Sequence, residues 1–258
     1  MSKREFETRI YLPPQMTTSN GARNVLTLIF EKFRWFNPLR YGDADLVESM
    51  SPGQFDVAAL IAYYEEHDKL CVAAKTNRDF IWLLPYKSGS APYTGRLIWV
   101  TSVASTSKDS WRAAHIEQTS ELMRQLQSPL ALATVESDFE RQCWRWVREG
   151  AGETLTPTVR GYGEGLPGLV WRNFYGPPFV RMFGSRLAAL PSECLKPLGE
   201  DLVLVQPYEL STAAGTEAGL ARERELISLL GPECFYDHEH HTLPTRRPVL
   251  DPLGQPLQ

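Results

Sequence analysis

The 258 residues carry 43% hydrophobic and 22% charged side chains, a balance that builds a packed core and leaves little room for long disorder. A formal net charge of -4 argues against a generic nucleic-acid binder, which needs a dense basic face to displace counterions from phosphates. The charged start, Met1 to Glu7, has no apolar run behind it, and no later stretch approaches the ~18 apolar residues of a membrane span, so a cytoplasmic chain without membrane contact is expected.

In chain order, Ser19 or Asn20 can cap a first helix carrying Val25, Ile29, Phe33 and Phe36, with Asn37-Pro38 as its stop. Ser51-Pro52-Gly53-Gln54 has the form of a capping box with proline at the first helical position, predicting a second helix that turns Phe55, Ala59, Ala62 and Tyr63 inward. Leu70 to Thr76, Asp79 to Tyr86 and Arg96 to Ala104 read as strands of an antiparallel meander. Ser110 to Gln127 places Trp111, His115, Leu122 and Leu126 on one helical stripe, and strand Leu130 to Val135 follows Ser128-Pro129. Ser137 and Glu140 suggest another capping box, opening a helix with Phe139, Cys143, Trp146 and Val147 buried, Trp144 outward and Gly150 past its end.

Residues 150–167 are rich in Gly, Thr and Pro and read as an internal boundary or exposed loop. Strand Leu169 to Phe174, turn Gly176-Pro177-Pro178, helix Phe179 to Leu190 and strand Leu202 to Gln206 form the clearest local unit. A last helix from Thr216 to Leu230 should pack Leu220, Ile227 and Leu230, and residues 236–258 read as a proline-rich extended tail. One domain over 1–258 is expected, of α+β class with a largely antiparallel sheet; an α/β mixed sheet is the alternative, since strand and helix alternate after residue 128.

Candidate chemistry is sparse. Gly163 to Gly168 matches GxGxxG, but a proline interrupts it and a strand, not a helix, should follow, so it reads as a loop. Asp237, His238, Glu239, His240 and His241 are metal-ligand types on a segment without visible rigid support, so no metal site and no cofactor is expected. Cys71, Cys143, Cys194 and Cys234 are widely spaced and read as reduced thiols. His115 beside Trp111 reads as a core histidine, and Glu136, Asp138 and Glu140 as first-turn carboxylates that stabilise a helix end. No nucleophile elbow or phosphate loop is present in the sequence, which points to binding ahead of catalysis.

The run Gly168-Leu169-Val170-Trp171-Arg172-Asn173-Phe174-Tyr175-Gly176-Pro177-Pro178, with Phe183-Gly184 and the strand at 202–206, resembles bacterial immunity proteins encoded beside polymorphic toxins. The similarity is greatest to the "immunity protein 52" family and spans residues 80–250. It implies a non-catalytic antidote that binds a type VI secretion effector such as a nuclease and occludes its active site or substrate groove; the chain itself is expected to be a monomer or a small homo-oligomer. Acidic residues would then complement a basic toxin groove: Asp43, Asp45 and Glu48 first, Glu65, Glu66 and Asp68 second, with Trp144 as an aromatic anchor. A metal-dependent hydrolase or nuclease using Glu65, Asp68 and a histidine is the competing reading, and a structural assembly subunit is the third.

Overall fold

The computed structural model describes residues 5–50, 55–76, 78–85, 95–150 and 152–250. The fold is α+β, as expected, and each ladder given below is antiparallel. The chain divides into two compact units, Met1–Ala131 and Leu132–Gln258.

The first unit begins with a strand outside the elements expected from sequence. In β1 (Glu5–Leu12) the alternation of Phe6, Thr8, Ile10 and Leu12 with polar neighbours buries one face of the pleat. Helix α1 (Ser19–Thr27) is capped by Thr18, whose hydroxyl accepts from the Gly21 N–H, one residue earlier than expected. It passes into a wider π turn at Leu28–Phe33 and ends where Arg34 adopts a left-handed conformation. This change of pitch places Ile29 and Phe30 in the core and leaves Phe33 and Phe36 half-buried.

The short hairpin β2 (Arg40–Gly42) and β3 (Glu48–Ser49) precedes α2 (Val57–His67), which Asp56 caps through the Ala58 and Ala59 N–H groups. The predicted cap at 51–54 lies outside the described residues. The buried stripe of α2 is Leu60, Ile61 and Tyr64, with Ala62 exposed, so the helix faces the core one position away from the predicted register.

The predicted meander is present as β4 (Leu70–Ala73), β5 (Phe80–Leu84) and β6 (Gly95–Ser102). Within this unit the strand order is β1-β6-β5-β4-β2-β3. Short α3 (Val103–Thr106) leads to α4 (Asp109–Gln125). His115 on α4 is buried as expected, with Nε2 2.9 Å from Thr8 Oγ1 and its ring against Phe6, Trp99 and Trp111.

Strand β7 (Leu130–Val135) contains the break between the units, and α5 (Glu136–Cys143) follows directly. This helix ends six residues earlier than expected by its capping pattern. Trp144 is already extended, and β8 (Trp144–Glu149) pairs with β9 (Gly152–Pro157) as a hairpin, so residues 150–167 contain a strand inside the second unit. The remaining elements are β10 (Arg172–Tyr175), α6 (Pro177–Phe183), β11 (Leu195–Pro197), β12 (Val203–Val205) and α7 (Glu217–Leu230). Strand β12 lies between β10 and β11.

The predicted strand-turn-helix is the centre of this unit. Trp171 is fully buried, and its indole N–H donates to the Glu209 carbonyl at 3.0 Å. Asn173, equally buried, uses its amide to tie Val170 to Val205. On α7 the buried positions are Gly219, Glu223, Leu226 and Leu230, while the expected Leu220 and Ile227 are half-buried. The segment after Tyr236 is pinned: Thr245 and Arg246 donate backbone N–H groups to the Glu233 carbonyl, and Pro244 and Pro248 are buried.

Candidate functional site

Three arrangements bear on function: an acidic sheet edge in the first unit, and an exposed aromatic hairpin and a buried charge network in the second.

At the acidic edge, the β2–β3 turn carries Asp43, Asp45 and Glu48, with Val47 protruding 65% exposed. Asp43 forms an ion pair with Lys69, whose hydrogen bond holds its carboxyl below the usual range. Burial, helped by Asp43 and Asp45, pushes the Tyr63 hydroxyl up, and burial with Glu48 and Asp56 does the same to Tyr41. The two predicted acidic groups therefore share a neighbourhood. Tyr63 on α2 stacks on His67 at 4.0 Å and meets Tyr41 of β2 edge-on at 5.7 Å, and Glu65, Glu66 and Asp68 are exposed around the same helix end. The Cys71 thiol nearby is pushed up to about 12 by burial and is a core group rather than a nucleophile.

In the β8–β9 hairpin, residues directly opposite share a face. Trp144 lies across from Pro157, Trp146 from Leu155 and Arg148 from Glu153. This face points to solvent: Trp144 is 40%, Trp146 66% and Leu155 45% exposed. The expectation for Trp144 fits, whereas Trp146, read as buried on a helix, is the most exposed tryptophan of the pair. Apolar groups of this size clustered on one face are the material of protein interfaces.

The opposite hairpin face carries Arg145 and Thr156 and closes one wall of a cleft of about 360 Å³. Thr158, Arg160, Glu164, Tyr236 and His241 complete much of its lining.

The buried network replaces the simple helix-end role expected of Asp138. Asp138 accepts from the Thr134 hydroxyl at 2.8 Å and from Arg141 Nε at 3.1 Å. The same guanidinium reaches Glu223 on α7 at 2.8 Å, and Glu223 also accepts from Tyr208 at 3.1 Å and Gln142 at 3.2 Å. Burial pushes both carboxyls above their ordinary values, against the pull of Arg141. The Gln142 amide also holds the Leu169 carbonyl and presses on Gly168, where a Cβ would come within 1.9 Å of its Oε1 at a φ of +159°. These groups hold α5, α7 and the start of the Trp171 segment together, and their polar atoms are occupied by one another.

The histidine segment is similarly committed to structure. His238 Nε2 lies 2.7 Å from the Pro167 carbonyl and burial lowers its basicity; His240 bonds Asp237, whose carboxyl is lowered to about 2 by the His240 N–H and ring. His241 lies 3.4 Å from the Tyr236 hydroxyl. Among the described residues these imidazoles form no group of three metal-ligand types. Gly163 to Gly168 adopts a loop in which Gly165, at φ +113°, lies against Pro244.

No family model and no curated protein sequence matches the chain. Its fold resembles a solved structure. That structure is described as Pseudomonas aeruginosa T6SS protein PA0821, with a TM-score of 0.54 and 11% identity over 88% of this chain and 76% of that one. The likeness concerns the fold. Among the described residues no helix is long and apolar enough to cross a membrane.

Proposed function

We propose that this chain is an immunity-type binding protein that neutralises a cognate toxin of a type VI secretion system by covering its active site or substrate groove, without turnover. The observation that carries the reading is the solvent-facing hairpin on which Trp144, Trp146 and Leu155 lie side by side. Tryptophans are costly to leave in water, and an interface core is where such side chains contribute most. The acidic edge at Asp43, Asp45 and Glu48 supplies charge suited to the basic groove of a nuclease, favouring rapid encounter more than tight holding. Support also comes from the fold shared with a T6SS protein and from the strand-turn-helix at 168–184, the segment that resembles immunity proteins.

Co-expression with the product of the neighbouring gene, followed by size-exclusion chromatography and a growth-rescue assay, tests this. A stable complex and rescue are expected, and the pair Trp144→Ser and Trp146→Ser should abolish both while leaving the fold intact. A folded protein that neither binds nor rescues would overturn the reading. Concentration-dependent self-association that the two substitutions abolish would reassign the hairpin to a homo-oligomer.

A further inference from the structure

We propose that the cleft beneath the β8–β9 hairpin is a carboxylate-binding pocket that receives an acidic side chain of the protein partner. Its biological occupant rests on the protein-binding reading, but its chemistry can be tested alone.

Arg145 is half-buried on the inner face of the hairpin, and its guanidinium carbon lies 5.9 Å from the centre of the Tyr236 ring. Among the described residues its Nε is shielded from solvent and meets no acceptor. A guanidinium with a hidden, unsatisfied donor is an incomplete arrangement, because a buried polar group loses its water without gaining a partner. Arg160, the second guanidinium of the lining, forms no ion pair among the described residues. Against these two cations stands one carboxylate, Glu164, already accepting the Arg160 backbone N–H at 2.8 Å. The cleft thus carries a surplus of positive charge on a chain whose net charge is -4.

The walls are fixed before any ligand arrives. Thr156 donates to the Arg145 carbonyl, Thr158 donates to the Gln142 carbonyl at 2.8 Å, and the Tyr236 N–H holds the Leu166 carbonyl at 2.8 Å. Both threonine hydroxyls are committed and the Tyr236 hydroxyl lies 3.4 Å from His241 Nδ1, so the fixed positive charge of the lining is that of the guanidiniums, whose planar forks match a carboxylate in two parallel bonds. Tyr236 and Leu243 add apolar walls suited to the methylenes of a glutamate. A phosphate dianion fits less well, since Glu164 would oppose its second charge and no lysine is among the described residues of the lining.

The test follows the Nε–Hε resonance of Arg145 by NMR as three probes are added separately: N-acetyl-glutamate methylamide, its glutamine counterpart and inorganic phosphate. The glutamate probe is expected to shift the resonance saturably, the glutamine probe to leave it unmoved, and phosphate to bind more weakly. Arg145→Gln should remove the glutamate response at the cleft, read from the Tyr236 ring protons. Because that change could disturb the hairpin, exposed Arg160→Gln serves as the second variant and should weaken the response several-fold. No saturable shift with glutamate, an equal shift with glutamine, or tighter binding of phosphate would each overturn the proposal. None of these results depends on whether a toxin partner is found.

Discussion

Residues 136–143 and 144–157 are consecutive in the chain and distribute their side chains in opposite ways. Helix α5 puts Asp138 and Gln142 in the interior, and the hairpin that follows puts Trp144, Trp146 and Leu155 in water. In α5 each buried polar atom has a partner, so burying charge is tolerated where a guanidinium and several donors converge. The hairpin has no such internal account for its tryptophans. Folding explains the first segment; for the second, an encounter with another molecule is the explanation we propose.

The largest expected effect tests the buried side of this contrast. Arg141→Met should destabilise the protein by about 3–5 kcal/mol, because it leaves Asp138 and Glu223 buried without their cation. Urea denaturation followed by tryptophan fluorescence measures it. The triple change Asp138→Asn, Arg141→Met and Glu223→Gln should recover a large part of that loss, since removing the whole set leaves no stranded charge. A loss below about 1 kcal/mol in the single variant would mean that water reaches the network and that the charges are not confined.

The next tests the exposed side. Trp146→Ser should leave stability within about 0.5 kcal/mol, as for an ordinary surface position, yet weaken partner binding by about 2 kcal/mol or more. Denaturation and calorimetric titration of the same preparation separate the two. A loss of stability comparable to that of a core tryptophan would return the hairpin to the list of structural elements.

A smaller effect comes from pH. The Asp138 and Glu223 carboxyls are raised by burial in the folded state, so between the unfolded value of about 4 and those raised values the native protein holds more protons than the unfolded chain. Stability contributed by these groups therefore falls as pH rises through that window. In Arg141→Met, which removes the cation that pulls both values down, the fall should be steeper and extend to higher pH. Denaturation midpoints measured from pH 4 upward give the slope. A rise of stability across the window that is absent from Asp138→Asn would reverse the sign of the argument.

The sequence made these regions unequally legible. The meander β4 to β6, helix α4, strand β7 and the Trp171 segment are visible because each satisfies one periodicity and is bounded by proline, glycine or serine. At 143–149 two periodicities compete: Cys143, Trp146 and Val147 fit a helical stripe, while Trp144 and Trp146 fit a strand with one face. The helical reading extends an α5 that really exists, but pairing with the Thr-rich 152–157 segment decides for the strand. Glycine and proline at its ends made that partner look like a loop. Strand β1 was legible in the alternation of Phe6, Thr8, Ile10 and Leu12, although charged Glu5, Glu7 and Arg9 draw attention first. The buried network was not legible, because Arg141 meets Glu223 across 82 positions, and a glutamate on a helix is ordinarily solvent-facing. Of the site, Trp144 could be read outward from sequence, whereas the exposure of Trp146 follows only from the hairpin.

The smallest expected effect concerns the acidic edge, where the proposed function has charge working on the encounter and not on the finished complex. Asp43 already shares its charge with Lys69, so the field at the β2–β3 turn comes chiefly from exposed Asp45 and Glu48. Reversing Asp43, Asp45 and Glu48 to lysine together should slow association several-fold at low salt and leave dissociation nearly unchanged, because rim charges steer partners without being desolvated. The pair Asp45→Lys and Glu48→Lys should reproduce most of that slowing, since Asp43 is partly neutralised beforehand. At physiological salt, where exposed charges are screened over about 8 Å, wild type and variants should converge. Stopped-flow association across a salt series measures each step. An unaltered association rate at low salt would remove the acidic edge from the encounter and leave the tryptophan hairpin as the surface that must account for recognition.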